Sequence, residues 1–146
     1  MNRPTIPDDL LDLLTTDRIG HVSLLRADGS IATTLMWIDW DGEHLLTSSP
    51  VGSYKGKRWR ADPRVTVSVV DGHDDWRFVT VRGLVSDIRP DVDLAFIDKM
   101  AQRYTGRSYF RRDTMREVFV ITPDDVRFGR GGWSRRRTFR HSLSDK

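Results

Sequence analysis

Cysteine is absent from all 146 residues, which excludes disulfides, a thiol nucleophile and thiolate metal sites and fits a reducing compartment. Histidine is scarce. His21, His44, His73 and His141 stand apart, with no second histidine at ligand spacing, so a metalloenzyme is not expected. No apolar run approaches the ~20 residues of a membrane span, and the opening MNRPTIPDDL lacks the apolar stretch of a signal peptide. The expectation is a cytoplasmic chain without a membrane partner. A body of one charge sign is missing too. The net charge is +3 and the pI 9.6, but residues 129–146 contribute +5, which leaves −2 for residues 1–128. Only the tail GRGGWSRRRTFR could grip a phosphate backbone, and a short basic tail without a basic body does not make a nucleic-acid footprint. There is no Walker loop, GxGxxG, repeat, Ser-His-Asp set or paired-carboxylate constellation.

What is present is a mostly β pattern of one-domain length. Asp8 and Asp9 follow Pro7 at the start of a short helix whose Leu10, Leu11, Leu13 and Leu14 form an apolar stripe. Ile19–Arg26 and Ile31–Trp40 read as strands joined by the turn Ala27-Asp28-Gly29-Ser30, and Asp41-Gly42 leads to a third strand, Glu43–Ser49. Val65, Val67 and Val69 alternate with Thr66 and Ser68 in a fourth, and Arg77–Arg89 reads as a fifth. A helix opening at Pro90-Asp91 carries Leu94, Ile97, Met100 and Ala101 at helical spacing and ends at Gly106. Glu117–Thr122 supplies the sixth strand, with Pro-Asp-Asp after it as a turn. Short strands in series pair antiparallel, and closing them removes exposed edges. The predicted fold is mainly β: a small antiparallel barrel with flanking helices over residues 1–133, followed by a flexible basic tail, 134–146.

Between the third and fourth strands lies SSPVGSYKGKRWRADPRV, with Lys55, Lys57, Arg58 and Arg60 inside six positions. Hydroxyls, a tight turn and a lysine at a helix start suit an anion, since free N–H groups, O–H donors and an ammonium together bind phosphate without base-specific contacts. A solvated helix face carries the same cations, and composition leaves both readings open. Trp37 and Trp40 read equally as strand aromatics or as site residues, whereas Trp59 reads as core.

The order of the segments IGHVSLLRADGSIATTLMWIDWDGEHLLTSSPVGSYKGKRWRADPRVTVSVVDG, WRFVTVRGLVSDI, YTGR and REVFVITPDDVRFG resembles the split β-barrel flavin-binding superfamily typified by pyridoxamine 5′-phosphate oxidase. Within it, the chain is most similar to deazaflavin-dependent oxidoreductases that use coenzyme F420, over residues 15 to 129. The resemblance implies a homodimer with a cofactor at the subunit interface and hydride transfer to a small planar, unsaturated or quinone-like substrate. It implies that Lys55 binds phosphate, that Ser48, Ser49 and Ser53 line the phosphate or ribityl chain, and that Lys57 and Arg58 meet an anionic tail. By the same resemblance, Thr34, Met36 and Trp37 lie on the strand that runs beside the ring system, and Arg77 and Phe78 match a strand that approaches the cofactor from the partner subunit. One feature departs from the pattern: Ser53 and Tyr54 stand where many relatives place an arginine, which leaves the phosphate one cation short unless Lys57 or Arg58 turns inward.

Hydride chemistry needs no protein nucleophile, only a chain that holds the ring, shields it and leaves one face open. No catalytic residue is therefore assigned; Tyr104 and Tyr109 are both candidates for a proton donor. Flavin mononucleotide (FMN) in the same fold, or non-catalytic cofactor binding, is the alternative. The extra cations favour the longer, more negative deazaflavin.

Overall fold

A computed structural model describes residues 4–132; the expectation of a flexible tail over 134–146 falls outside them. Seven strands form one antiparallel sheet: β1 (Gly20–Leu25), β2 (Ile31–Met36), β3 (Asp39–Trp40), β4 (Leu45–Pro50), β5 (Arg64–Asp71), β6 (Asp74–Pro90) and β7 (Arg116–Arg130), in the order β2-β1-β5-β6-β7-β4-β3. Every second residue of β1, β5 and β6 turns inward, so Val22, Leu24, Val65, Val67, Val69, Val79 and Val81 fill the interior together with Phe119 and Ile121 of β7. The expectation of a mainly β split barrel holds.

The seventh strand arises from a break the sequence pattern did not reveal. Ile31–Trp40 is not continuous: β2 pairs with β1, the ladder ends at Met36, and after Trp37-Ile38 the chain resumes as β3 against β4. The two outermost strands of the sheet are thus consecutive in sequence, separated by two residues. This connection curls the sheet on itself. Because β2 and β4 do not pair, the barrel is split at that seam.

The last strand also outruns its expected end. Pro123 was expected to open a turn, yet β7 continues to Arg130 against β6. A bulge between Arg82 and Gly83 places Pro123 opposite Gly83, where the missing proline N–H is tolerated. A Cβ at Gly83 would collide with the Thr122 carbonyl, so glycine is what lets the two backbones approach.

Helices flank the barrel. The N-terminal helix is shorter than its leucine stripe suggests, a 3₁₀ turn at Asp8–Leu10 followed by α1 (Asp12–Thr15), but Leu10, Leu13 and Leu14 are fully buried as expected. The second helix, α2 (Tyr54–Ala61), is N-capped by Ser53, whose Oγ accepts from the Gly56 N–H at 3.2 Å. Trp59 of α2 lies in the core with its ring edge-on to Phe119 at 4.8 Å. The third, α3 (Ala95–Thr105), starts later than expected. Asp93 and Leu94 take left-handed backbone (φ 55° and 58°), and the Asp91 carboxylate reaches past them to accept from the Phe96 and Ile97 N–H groups at 2.8 and 3.0 Å. Among the described residues no helix is long and apolar enough to cross a membrane, and no group of three or more His, Asp or Glu side chains is placed to hold a metal ion.

Candidate functional site

The seam where β2 leaves β4 opens a groove of about 320 Å³. β2 and its continuation supply Thr34, Met36 and Trp37; β4 supplies Ser48 and Ser49; the first turn of α2 supplies Lys55; and Phe96, Ile97 and Met100 of α3 form a wall. Tyr109, from the loop after α3, and Arg116, the first residue of β7, complete it. The seam is held locally. Thr47 Oγ1 donates to the Trp37 carbonyl at 2.8 Å, spanning the gap between unpaired strands. Tyr104 stacks on Trp37 with ring centroids 5.2 Å apart, while Tyr109 meets Trp37 edge-on at 6.5 Å.

The α3 wall is anchored by charge. Asp39 of β3 is buried and binds Lys99 Nζ at 2.9 Å and Arg103 Nη2 at 2.8 Å. Burial opposes its ionisation, but hydrogen bonds from Lys99 and Arg103 outweigh that and hold its carboxyl below the ordinary range. Tyr104 adds a neutral clamp: its hydroxyl donates to the Arg18 carbonyl at 2.6 Å and accepts from the Ile38 N–H at 3.2 Å. Burial pushes that phenol's pKa up. Of the two tyrosines considered as proton donors, Tyr104 is therefore committed to backbone. The Tyr109 hydroxyl accepts from Arg116 and donates to no described residue.

Arg116 was not singled out in the sequence, and it is the group that most sets this groove apart. Only 8% of it is exposed, yet no described carboxylate pairs with it. Its Nε donates to Ser48 Oγ at 3.1 Å and its Nη1 to the Tyr109 hydroxyl at 3.3 Å, and its guanidinium lies 5.0 Å from the Tyr109 ring centroid. Burial pulls its pKa down, but an arginine remains cationic at neutral pH. Lys55 has no described carboxylate partner either. Two cations thus face one groove beside two serine hydroxyls, with nothing of opposite sign in its lining. A buried cation without a counter-charge is costly, so the groove is electrostatically suited to an anion. Arg116 reaches the groove of Lys55 from a strand 61 positions further along the chain.

Among the residues expected at the site, Thr34, Met36, Trp37, Ser48, Ser49 and Lys55 come together here. The other cations of the Lys55–Arg60 cluster do different work. Arg58 does not turn into the groove: its Nε donates to the Leu25 carbonyl at 2.8 Å, tying α2 to β1. Arg60 forms a two-bond pair with buried Glu117 at 2.7 and 2.9 Å, and Gly56 exists because a Cβ there would press on that carboxylate. Lys57 is exposed, two residues from Lys55 and so on a different face of the helix. Ser53 is spent as the cap of α2. Arg77 lies outside the groove in an ion cluster with Asp12 and Asp71, fixing α1 to the β5–β6 hairpin. Phe78 is half-buried on β6, paired with Gly129 and Val70. The extended sequence pattern of Arg77 and Phe78 thus places them on a strand remote from the seam within one chain.

Residues 6–129 match the pyridoxamine 5′-phosphate oxidase family. An F420 reductase structure is 32% identical and superposes with a TM-score of 0.76, covering 83% of this chain and 98% of its own. General Stress Protein 26 from Bacillus anthracis, 20% identical with a TM-score of 0.64, covers 82% of this chain and 89% of its own. An FAD-binding protein from Mesorhizobium loti, also 20% identical, has a TM-score of 0.58 over 84% of this chain and 92% of its own. The latter two share the fold at an identity too low to carry function. No curated protein matches the chain. With the family match spanning the barrel and its seam, and all but two described residues at the start and three at the end, the chain belongs to the pyridoxamine 5′-phosphate oxidase family.

Proposed function

We propose that this protein is an oxidoreductase that binds a deazaflavin, coenzyme F420, in the seam groove and acts on a small planar, unsaturated or quinone-like substrate. The observation that carries the proposal is the pair of unneutralised cations, Lys55 and buried Arg116, beside Ser48 and Ser49. They fit the phosphate of a flavin-type cofactor: a guanidinium fixed by two hydrogen bonds, an ammonium lining the same groove, and hydroxyls to fill the remaining lone pairs. The 32% identity to an F420 reductase supports the deazaflavin over FMN. When bound, the deazaflavin supplies the hydride; the chain's own task is to hold and shield it.

Met36, Trp37, Phe96 and Met100 make the apolar wall that excludes water from a ring. Tyr109 presents the hydroxyl whose proton is free, and Arg116 orients that hydroxyl by donating to its oxygen. A groove of about 320 Å³ is at the small end for a drug-sized ligand. A second copy of the chain completes the site in this proposal, bringing the strand that carries Arg77 and Phe78. The test is a titration of the purified protein with the deazaflavin and with FMN, followed by visible absorbance. Tighter binding of the deazaflavin is expected. Preference for FMN overturns the cofactor assignment, and binding of neither overturns the proposal.

A further inference from the structure

Trp37 lines the seam groove but belongs to neither of the ladders beside it. Pairing of β2 ends at Met36 and that of β3 begins at Asp39, so the backbone between them is held by side chains of other elements. Thr47 Oγ1 of β4 donates to the Trp37 carbonyl at 2.8 Å. On α3, Arg103 Nη1 donates to the Ile38 carbonyl at 3.1 Å, and the Tyr104 hydroxyl accepts from the Ile38 N–H at 3.2 Å. That hydroxyl also donates to the Arg18 carbonyl at 2.6 Å, so one phenol joins α3 to this connection and to the segment before β1. The Tyr104 ring lies almost flat on the indole of Trp37, with 10° between the planes and 5.2 Å between the centroids, and Tyr109 meets the same indole at 85°. A ring parallel to one neighbour and perpendicular to another has its plane set from two directions. Trp37 and Tyr109 line the groove, whereas Tyr104 does not.

We infer that Tyr104 is a positioning residue: through its stack on Trp37 it sets the plane of the indole, and with it the plane in which a flat ring lies in the groove. The inference rests on the proposed function, which requires such a ring, and adds to it a residue outside the groove's lining. Trp37 is only half-buried, so enclosure in the core does not fix its ring; the stack does. A flat ligand gains from a platform whose tilt is already set, because less side-chain freedom is lost when it binds. The hydroxyl and the ring of Tyr104 divide the work: the hydroxyl fastens α3 to two backbone segments, and the ring orients Trp37.

The experiment titrates the deazaflavin into the wild type, Trp37→Leu, Tyr104→Phe, Tyr104→Leu and Tyr104→Met. It reads the dissociation constant, the visible circular dichroism of the bound ring at saturation, and the melting temperature of the cofactor-free protein. Tyr104→Phe keeps the stack without the hydroxyl: its melting temperature should fall, while affinity stays within about twofold and the visible signal matches the wild type. Tyr104→Leu and Tyr104→Met remove the flat partner. Their affinity should fall about fivefold and their visible signal at saturation should change as it does in Trp37→Leu, even where they melt no lower than Tyr104→Phe. A visible signal that follows melting temperature across the three Tyr104 variants makes Tyr104 a purely structural clamp and overturns the inference. So does a wild-type signal in Tyr104→Leu, Tyr104→Met or Trp37→Leu, or failure of both aliphatic Tyr104 variants to fold. Failure of the wild type to bind the deazaflavin removes the proposed function, and the inference with it.

Discussion

Two concavities on this barrel invite comparison. The larger, about 500 Å³, lies over β1, β5 and β6 and is lined by Leu24, Leu25, Ile31 and Val65 together with Arg64, Arg82 and Asp124. Its charges are already matched: Arg82 Nε meets Asp124 at 2.7 Å, and Arg64 Nη2 meets Asp62 at 2.8 Å. The smaller, at the seam, holds Lys55 and Arg116 with no carboxylate in its lining. Volume favours the first and charge the second. For a ligand with an ionised end, charge decides, because a matched ion pair must be broken before it can bind anything, whereas an unmatched buried cation is stabilised by the ligand itself.

The largest expected effect follows from that contrast. Replacing Arg116 by alanine is expected to weaken deazaflavin binding about a hundredfold, by isothermal titration calorimetry, since it removes a buried charge-assisted contact. The cofactor-free melting temperature should fall little, because the residue deleted is itself an unpaired buried cation. A large loss of stability would instead make Arg116 structural.

The next effect concerns the wall opposite. Asp39→Asn leaves Arg103 and Lys99 without their carboxylate and is expected to cost about 2 kcal/mol in chemical denaturation. The wild type carries the matching pH signature. Asp39 is held below the ordinary range by Lys99 and Arg103 against the cost of burial, Asp12 by the hydrogen bond from Arg77, and Asp71 by the His73 N–H with Arg77 and Arg18. Carboxylates whose folded pKa is lowered add stability above their unfolded value and lose it as pH falls towards the folded one. The melting temperature should therefore be flat near neutrality and decline below about pH 4, with a shallower decline in Asp39→Asn.

Smaller still is Lys55→Ala, expected to cost about tenfold in affinity because a half-buried ammonium on a flexible stem is partly replaced by water and by Arg116. The smallest is Arg82→Ala in the larger concavity, which should leave deazaflavin affinity unchanged; a loss there comparable to Lys55→Ala would erase the distinction between the two cavities.

Much of the seam was legible because its pieces are local. Thr34 to Trp37 lie on one strand end, and Ser48 to Lys55 form one strand–turn–helix, so their order along the chain already places them together. Arg116 was not legible in that way. It is 68 positions from Ser48, its hydrogen-bond partner, and only the barrel brings them together. A signal existed: Arg116-Glu117 opens a strand that is otherwise Val-Phe-Val-Ile, and charged residues at the head of a fully buried strand must have partners. Glu117 finds Arg60, whereas Arg116 finds no described carboxylate. The cluster Lys55–Arg60 looked like one basic patch, but helical geometry sends its members to a groove, to solvent, to a β1 carbonyl and to a carboxylate. The break at Trp37-Ile38 and the passage of β7 through Pro123 were hidden for a related reason. Both depend on pairing with distant strands, and propensity within the segment points the other way.

The most direct test of whether unneutralised charge marks the site is a deazaflavin titration of Lys55→Ala/Arg116→Ala beside Arg64→Ala/Arg82→Ala. Abolished binding in the first double variant with wild-type affinity in the second is the predicted result. Retained binding in the first, or equal loss in both, would contradict it.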